Sequence, residues 1–129
     1  MPKAAALEVL IVDDQPSMRG LTKYVLQQIG FQKITEAKNG RDALGKIEYQ
    51  AFDLVISDWN MDEIDGLTLL KVVRKHPRTQ KLPFIMATGQ GDKEQVKLAI
   101  ESGVNNYVLK PFDASTMRKK IEAVLGPLS

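Results

Sequence analysis

Five short apolar runs alternate along the chain with segments of helical periodicity, and this alternation restricts the possible folds more than any other feature. The runs cover residues 9–13, 33–37, 54–58, 84–88 and 107–110. The first, third and fourth are apolar almost to their last residue, which is typical of strands covered by helices on both faces. Repeated strand and helix units of this kind predict an α/β fold with a parallel sheet in a three-layer sandwich.

The segments between the runs carry apolar residues at the three- to four-residue spacing of amphipathic helices, most clearly in residues 18–29 and 117–125. Helix start signals accompany them. Asp92 with Gln95 resembles a capping box, and Asp113 precedes the last helical segment.

Length and composition indicate one compact domain. The chain has 129 residues, of which 43% are hydrophobic and 26% are charged, so we expect a single domain over 1–129, with a core at about 7–126 and no output domain. A chain without cysteine has neither a disulfide framework nor a thiolate metal site, which suits a cytoplasmic protein.

Charge and hydropathy disfavour two classes of partner. The net charge is +2 and the basic residues are scattered, so no electrostatic footprint for nucleic acid is evident. The apolar stretch near the N-terminus runs into two aspartates and is too short to span a bilayer, so we expect no membrane insertion.

Polar side chains stand where the predicted strands end. Ligands of open parallel sheets bind beyond the carboxyl ends of the strands, and this chain places Asp13, Asp14, Asp58, Thr88 and Lys110 there. Two carboxylates about 4 Å apart repel by about 4 kcal/mol at an effective dielectric constant near 20. Protons or a cation must offset that repulsion.

A hard divalent cation fits these oxygen ligands best, and we predict Mg²⁺, because cysteine is absent and the single histidine, His76, lies elsewhere in the sequence. Such an ion beside a lysine and a threonine suits a phosphoryl group. Asp58, on the central third strand, is then the candidate nucleophile for an aspartyl phosphate.

Each of these residues also has an ordinary structural interpretation. Isolated aspartates are helix caps or solvated turn residues, and Thr88 alone is a normal strand residue. His76 before Pro77 suggests an exposed helix end, and Trp59 suggests a surface residue beside the site. The convergence of five polar groups favours the functional interpretation of the strand ends.

Four motifs connect the chain with a known family: LIVDD at 10–14, SDWNMDEIDG at 57–66, MATG at 86–89 and NYVLKPF at 106–112. In this order and at these spacings, nearly the whole chain resembles the receiver domains of two-component response regulators, in particular the CheY-like single-domain chemotaxis regulators. The resemblance implies a flavodoxin-like (βα)5 doubly wound sheet with the strand order 2-1-3-4-5.

The resemblance also implies a chemistry. Asp58 would accept a phosphoryl group from a phosphohistidine on a sensor histidine kinase, or from a small donor such as acetyl phosphate. Asp13, Asp14, Asp58 and the backbone carbonyl of Asn60 would hold Mg²⁺. The protein would catalyse only its own phosphorylation and dephosphorylation, and would not be an enzyme in the usual sense.

The remaining residues of the resemblance concern the response to phosphorylation. Lys110 would pair with Asp58 and then with a phosphoryl oxygen, and Thr88 would hydrogen-bond another. The bond from Lys110 to Pro111 is cis in relatives. Tyr107 would turn inward behind Thr88 and change the face formed by the fourth helix, fifth strand and fifth helix.

Three further positions lie in the loops that follow the third and fourth predicted strands. Asn60 and Gln90 occupy the positions that tune the dephosphorylation rate in this family. Asp62 stands where relatives very often have proline. This departure adds a charge near the metal position and frees the loop.

Three other functions fit the sequence less well. A phosphatase of the haloacid dehalogenase type would need an acid where this chain has Asn60, a flavin or nucleotide binder would need a phosphate cradle after the first strand, and a degenerate receiver would lack key residues. The resemblance to chemotaxis regulators makes a flagellar motor switch protein a candidate partner. A phosphate sink for a shared kinase, or a relay to a histidine phosphotransferase, is the alternative. We expect a monomer.

Overall fold

The computed structural model describes residues 2–89 and 93–129. After a 3-10 turn at Ala4–Ala6, strands and helices alternate along the chain, as the apolar runs predicted. The elements are β1 (Glu8–Val12), α1 (Pro16–Ile29), β2 (Lys33–Ala37), α2 (Gly40–Tyr49), β3 (Leu54–Asp58), α3 (Gly66–Lys75), β4 (Phe84–Thr88), α4 (Lys93–Glu101), β5 (Asn106–Leu109) and α5 (Ala114–Leu125).

All strand pairs are parallel, and their order in the sheet is β2-β1-β3-β4-β5, which confirms the expected fold. Asp13 and Lys110, predicted as the last residues of their strands, each lie one residue beyond the strand end. Their backbone N–H groups nevertheless continue the hydrogen-bonding pattern of the sheet. The N–H of Asp13 donates to Ala37 O at 3.1 Å, and that of Lys110 donates to Thr88 O at 2.8 Å.

The hydrophobic core lies on both faces of the sheet, as the apolar strands predicted. One cluster joins alternate strand residues, such as Ile56 and Ile85, to α1 and α5. The other joins the intervening residues, such as Val55 and Met86, to α2, α3 and α4. Every residue of β3 and β4 is buried, so Asp58 and Thr88 lie at the ends of closely packed strands.

Within the described ranges, side-chain caps begin three of the helices. Asn39, Asp65 and Asp113 each accept a hydrogen bond from the backbone N–H three residues later, at 2.7, 2.8 and 2.8 Å respectively. Asp113 therefore starts α5 as expected. The predicted capping box of Asp92 with Gln95 stays a prediction, because Asp92 lies outside the described residues.

None of the described helices has the length and apolar character needed to cross a bilayer.

Candidate functional site

Three carboxylates meet at the carboxyl edge of the sheet. Oxygens of Asp13, Asp14 and Asp58 all lie within 4.8 Å of one another. Asp13 and Asp58 are buried, with 3% and 8% of their surface exposed, and Asp14 is half-buried. The loop after β1 and the end of β3 bring them together, because β1 and β3 are neighbours in the sheet.

The ammonium of Lys110 lies between two of these acids. Its Nζ is 2.9 Å from Asp58 Oδ1 and 3.3 Å from Asp13 Oδ2. The lysine reaches the site because it follows β5 on the same edge, beyond β4. The peptide bond from Lys110 to Pro111 is cis, as the family resemblance implied.

Opposing effects act on the pKa of Asp58. Burial raises the pKa of Asp58, and the negative charge of Asp13 raises it further. Hydrogen bonding and charge from Lys110, with a smaller contribution from the N–H of Trp59, lower the pKa, but the net shift is upward. Burial, together with the charge of Asp13, therefore outweighs the effect of the Lys110 ammonium, and an added cation would stabilise the ionised form of Asp58.

The Asp13 side chain and backbone are both held in place. Its Oδ1 accepts from the N–H of Gln15 at 2.9 Å, and its carbonyl oxygen accepts from Nη1 of Arg19 at 2.8 Å. Sequence reasoning did not identify either contact. The donor of Gln15 is its backbone N–H, and no residue type in the sequence indicates such a contact. The Arg19 contact depends on the course of the loop between β1 and α1.

Thr88 and Asn60 lie at the same edge of the sheet. Thr88 is 3% exposed at the end of β4, next to β3, where Asp58 pairs in register with Ala87. Asn60 is exposed, two residues after Asp58. Gln90, predicted to tune dephosphorylation, lies outside the described residues.

Trp59 is a core residue, and the interpretation of it as a surface residue is wrong. It is 7% exposed and packs in the cluster beneath α2, α3 and α4. Its backbone N–H donates to Ala87 O at 3.1 Å, so the residue after Asp58 continues the hydrogen bonding between β3 and β4. Its indole lies in an apolar environment.

The other acids of the loop after β3 stand apart from the cluster. Within the described residues, Asp62 is exposed and does not belong to the group of acids that could share a metal ion. Glu63 pairs with Arg41 at 3.3 Å, and both side chains are well exposed, so the pair contributes about 1 kcal/mol or less. Asp65 caps α3.

His76 is exposed at the C-terminal end of α3, as expected, and its Nδ1 accepts from the N–H of Arg78 at 3.2 Å. Within the described residues, it does not belong to the group of side chains that could share a metal ion.

Tyr107 lies on β5, paired in register with Met86 of β4. Its ring is half-buried against the cluster beneath α4, and Nζ of Lys120 on α5 lies 4.8 Å from the ring centroid. This distance allows a cation–π contact. The ring therefore links the interior of the sheet to the surface of α5.

Comparison with known proteins gives close relatives over almost the full length. The chain is 44% identical over 128 residues to a protein of Rhizobium etli named "Probable chemotaxis protein CheY", covering 99% of each. It is 40% identical over 121 residues to "Chemotaxis protein CheY1" of Helicobacter pylori, covering 93% of this chain and 98% of the relative.

A solved structure gives the same result for the fold. Chemotaxis protein CheY4 of Vibrio cholerae superposes with a TM-score of 0.85 at 32% identity, covering 92% of this chain and 98% of that one. The sequence pattern described as "Response regulator receiver domain" matches residues 9–122. The fold, the residues at the carboxyl edge of the sheet and these matches agree. The chain therefore belongs to the response regulator receiver domain family.

Proposed function

We propose that this protein is a Mg²⁺-dependent phosphoacceptor switch, in which Asp58 receives a phosphoryl group from a phosphohistidine of a sensor histidine kinase. The observation that carries the proposal is the position of Lys110 Nζ, 2.9 Å from Asp58 and 3.3 Å from Asp13, within a cluster of three acids. Positive charge beside a nucleophilic carboxylate is what the transfer of a negatively charged group requires.

The donor set fits Mg²⁺. Carboxylates of Asp13, Asp14 and Asp58, with the backbone carbonyl of Asn60, are hard oxygen ligands of the kind this ion prefers. The three acids already lie within 4.8 Å of one another. Bound there, Mg²⁺ would supply positive charge to the phosphoryl oxygens.

Different residues of the chain would have different roles in the phosphoryl transfer. An oxygen of ionised Asp58 forms a bond to phosphorus as the phosphorus–nitrogen bond of the phosphohistidine breaks, and the electron pair of that bond returns to the imidazole. Lys110 favours the ionised carboxylate and then pairs with a phosphoryl oxygen. Thr88 hydrogen-bonds another oxygen, and Asn60 and Gln90 set the rate at which water removes the group.

The output would be a change in binding. Tyr107 would move between two positions and alter the face of α4, β5 and α5, as a two-state equilibrium biased by one charge event. Leu98 and Ile100 on α4 are 46% and 59% exposed, which supports a protein-binding role for this face. Since the named relatives are chemotaxis proteins, we assign the output to chemotaxis. The proposed switch is a cytoplasmic monomer.

The first test is phosphorylation by acetyl phosphate. With Mg²⁺ present, intact mass should increase by one phosphoryl group, and the gain should vanish when Mg²⁺ is removed by a chelator. Asp58→Asn should gain nothing, and Asp65→Asn should behave like the wild type, because Asp65 only caps α3. A gain that persists in Asp58→Asn would show that another residue is the acceptor.

A second test separates a motor switch from a phosphate sink or a phosphorelay shuttle. A flagellar motor switch protein should bind the beryllium fluoride form, in which the mimic occupies Asp58, about tenfold or more tightly than the unmodified form, the size of a typical allosteric coupling. Tyr107→Ala should reduce this difference. Equal affinity in both forms, with phosphoryl return to the kinase or to a histidine phosphotransferase, would favour the alternative.

A further inference from the structure

We propose that Arg19 is a positioning residue for the metal site, holding the peptide between Asp13 and Asp14 so that both carboxylates face the same ion. The inference rests on the Mg²⁺ site proposed above. Arg19 lies outside the set of metal ligands and phosphoryl-binding groups. Two of its contacts join the loop after β1 to the edge strand β2.

Arg19 makes these contacts from the first turns of α1. Its Nη1 donates to the carbonyl oxygen of Asp13 at 2.8 Å, and its Nε donates to Glu36 Oε1, on β2, at 3.3 Å. The side chain is 19% exposed. The planar guanidinium can satisfy two such acceptors in fixed directions, so Glu36 fixes the guanidinium and the guanidinium fixes the Asp13 carbonyl.

The two acids differ in how strongly their side chains are held. The Asp13 carboxylate receives hydrogen bonds from the N–H of Gln15 and from Lys110. Among the described residues, Asp14 has no hydrogen bond or ion pair of its own. The direction of the Asp14 carboxylate therefore depends on the peptide that precedes it, and the carbonyl of that peptide is the group that Arg19 holds.

The charge of Arg19 acts in the opposite direction to its positioning role. A guanidinium near three carboxylates repels a divalent cation, so loss of its charge alone would strengthen Mg²⁺ binding. Loss of the contact to the carbonyl would weaken it, because residues that orient metal ligands typically change affinity 10- to 100-fold. The sign of the change in Mg²⁺ affinity therefore distinguishes a positioning role from a purely electrostatic effect.

The test is Mg²⁺ titration by calorimetry. Arg19→Met should bind Mg²⁺ about tenfold more weakly than the wild type. Arg19→Lys should also bind more weakly, since it keeps the charge but cannot hold both acceptors. Lys23→Met is the matched control, because Lys23 also pairs with Glu36, at 3.5 Å, without contacting Asp13, and its affinity should stay within about twofold.

Urea unfolding without metal separates this role from general stability. A residue that only stabilises the fold would lower the unfolding midpoint but leave the affinity of the folded protein unchanged. Equal or tighter Mg²⁺ binding by folded Arg19→Met and Arg19→Lys would overturn the inference while the proposed function stands. Absence of Mg²⁺ binding by the wild type would overturn both. If Arg19→Met fails to fold, Arg19→Lys carries the same comparison.

Discussion

Replacement of Lys110 by methionine is expected to slow phosphorylation of Asp58 by about 100-fold or more, because removal of a single charge-stabilising donor typically has an effect of this size. Methionine matches the aliphatic part of the lysine side chain in length but lacks the ammonium that lies 2.9 Å from Asp58 and 3.3 Å from Asp13. Mg²⁺ binding should be retained or become tighter, since the carboxylates lose a competing cation.

The same replacement should change the pH dependence of the reaction. In the folded protein, burial raises the pKa of Asp58, and Lys110 opposes that rise. Without the ammonium the pKa rises further, so the nucleophilic carboxylate is protonated at a higher pH as acid is added. The acidic limb of the rate profile should therefore move to higher pH in Lys110→Met.

Stopped-flow measurement with acetyl phosphate at several pH values would give both quantities. Lys75→Met is a suitable control, because Lys75 is exposed in the last turn of α3 and should leave the rate and the profile unchanged. A Lys110→Met protein that is folded and phosphorylated at the wild-type rate would contradict the proposed role of the ammonium.

Replacement of Gly66 by alanine is expected to reduce the free energy of unfolding by about 3 kcal/mol, at the upper end of the usual cost of overpacking. A β-carbon at this position would lie 2.3 Å from the carbonyl oxygen of Asp58, 2.7 Å from Met86 Sδ and 3.0 Å from Trp59 Cα. Two of these atoms belong to the backbone beside the phosphoacceptor, so α3 must move away or the end of β3 must shift.

Urea denaturation would measure the loss, and Gly45→Ala provides the matched control. Gly45 lies within α2, and a β-carbon there would meet no atom within 4 Å. Alanine at that position should stabilise the protein by about 0.5–1 kcal/mol through helix propensity. Equal stability of Gly66→Ala and wild type would show that the close contact at the start of α3 is relieved without cost.

The alternation of strands and helices could be predicted from the sequence because its main determinants are local, whereas the strand order was implied by the family resemblance. The burial of β3 and β4 on both faces is visible as continuous apolar runs, and the cap at Asp113 is visible as an aspartate before a helical pattern. Strand ends were predicted less well, since Asp13 and Lys110 continue the hydrogen bonding of the sheet without being assigned to it.

Other features depend on contacts that periodicity cannot show. Gly66 reads as a boundary signal in the sequence, whereas its structural role is the close approach of α3 to the end of β3. Trp59 follows a strand and reads as a loop residue, yet the turn after Asp58 directs it into the core. The contact of Arg19 with the Asp13 carbonyl also requires Glu36 from a strand that comes later in the chain.

The link between Lys110 and Asp13 spans 97 residues, and this separation ties competence for the reaction to completion of the fold. A ribosome-bound chain contains Asp13, Asp14 and Asp58 well before β5 and Lys110 are synthesised. Until then the mutual repulsion of these carboxylates would oppose closure of this edge, and under the proposed function the nascent protein would present no assembled acceptor to a kinase. For the same reason, partly unfolded molecules that have released β5 should not be phosphorylated. Only completely folded molecules would then transmit the signal.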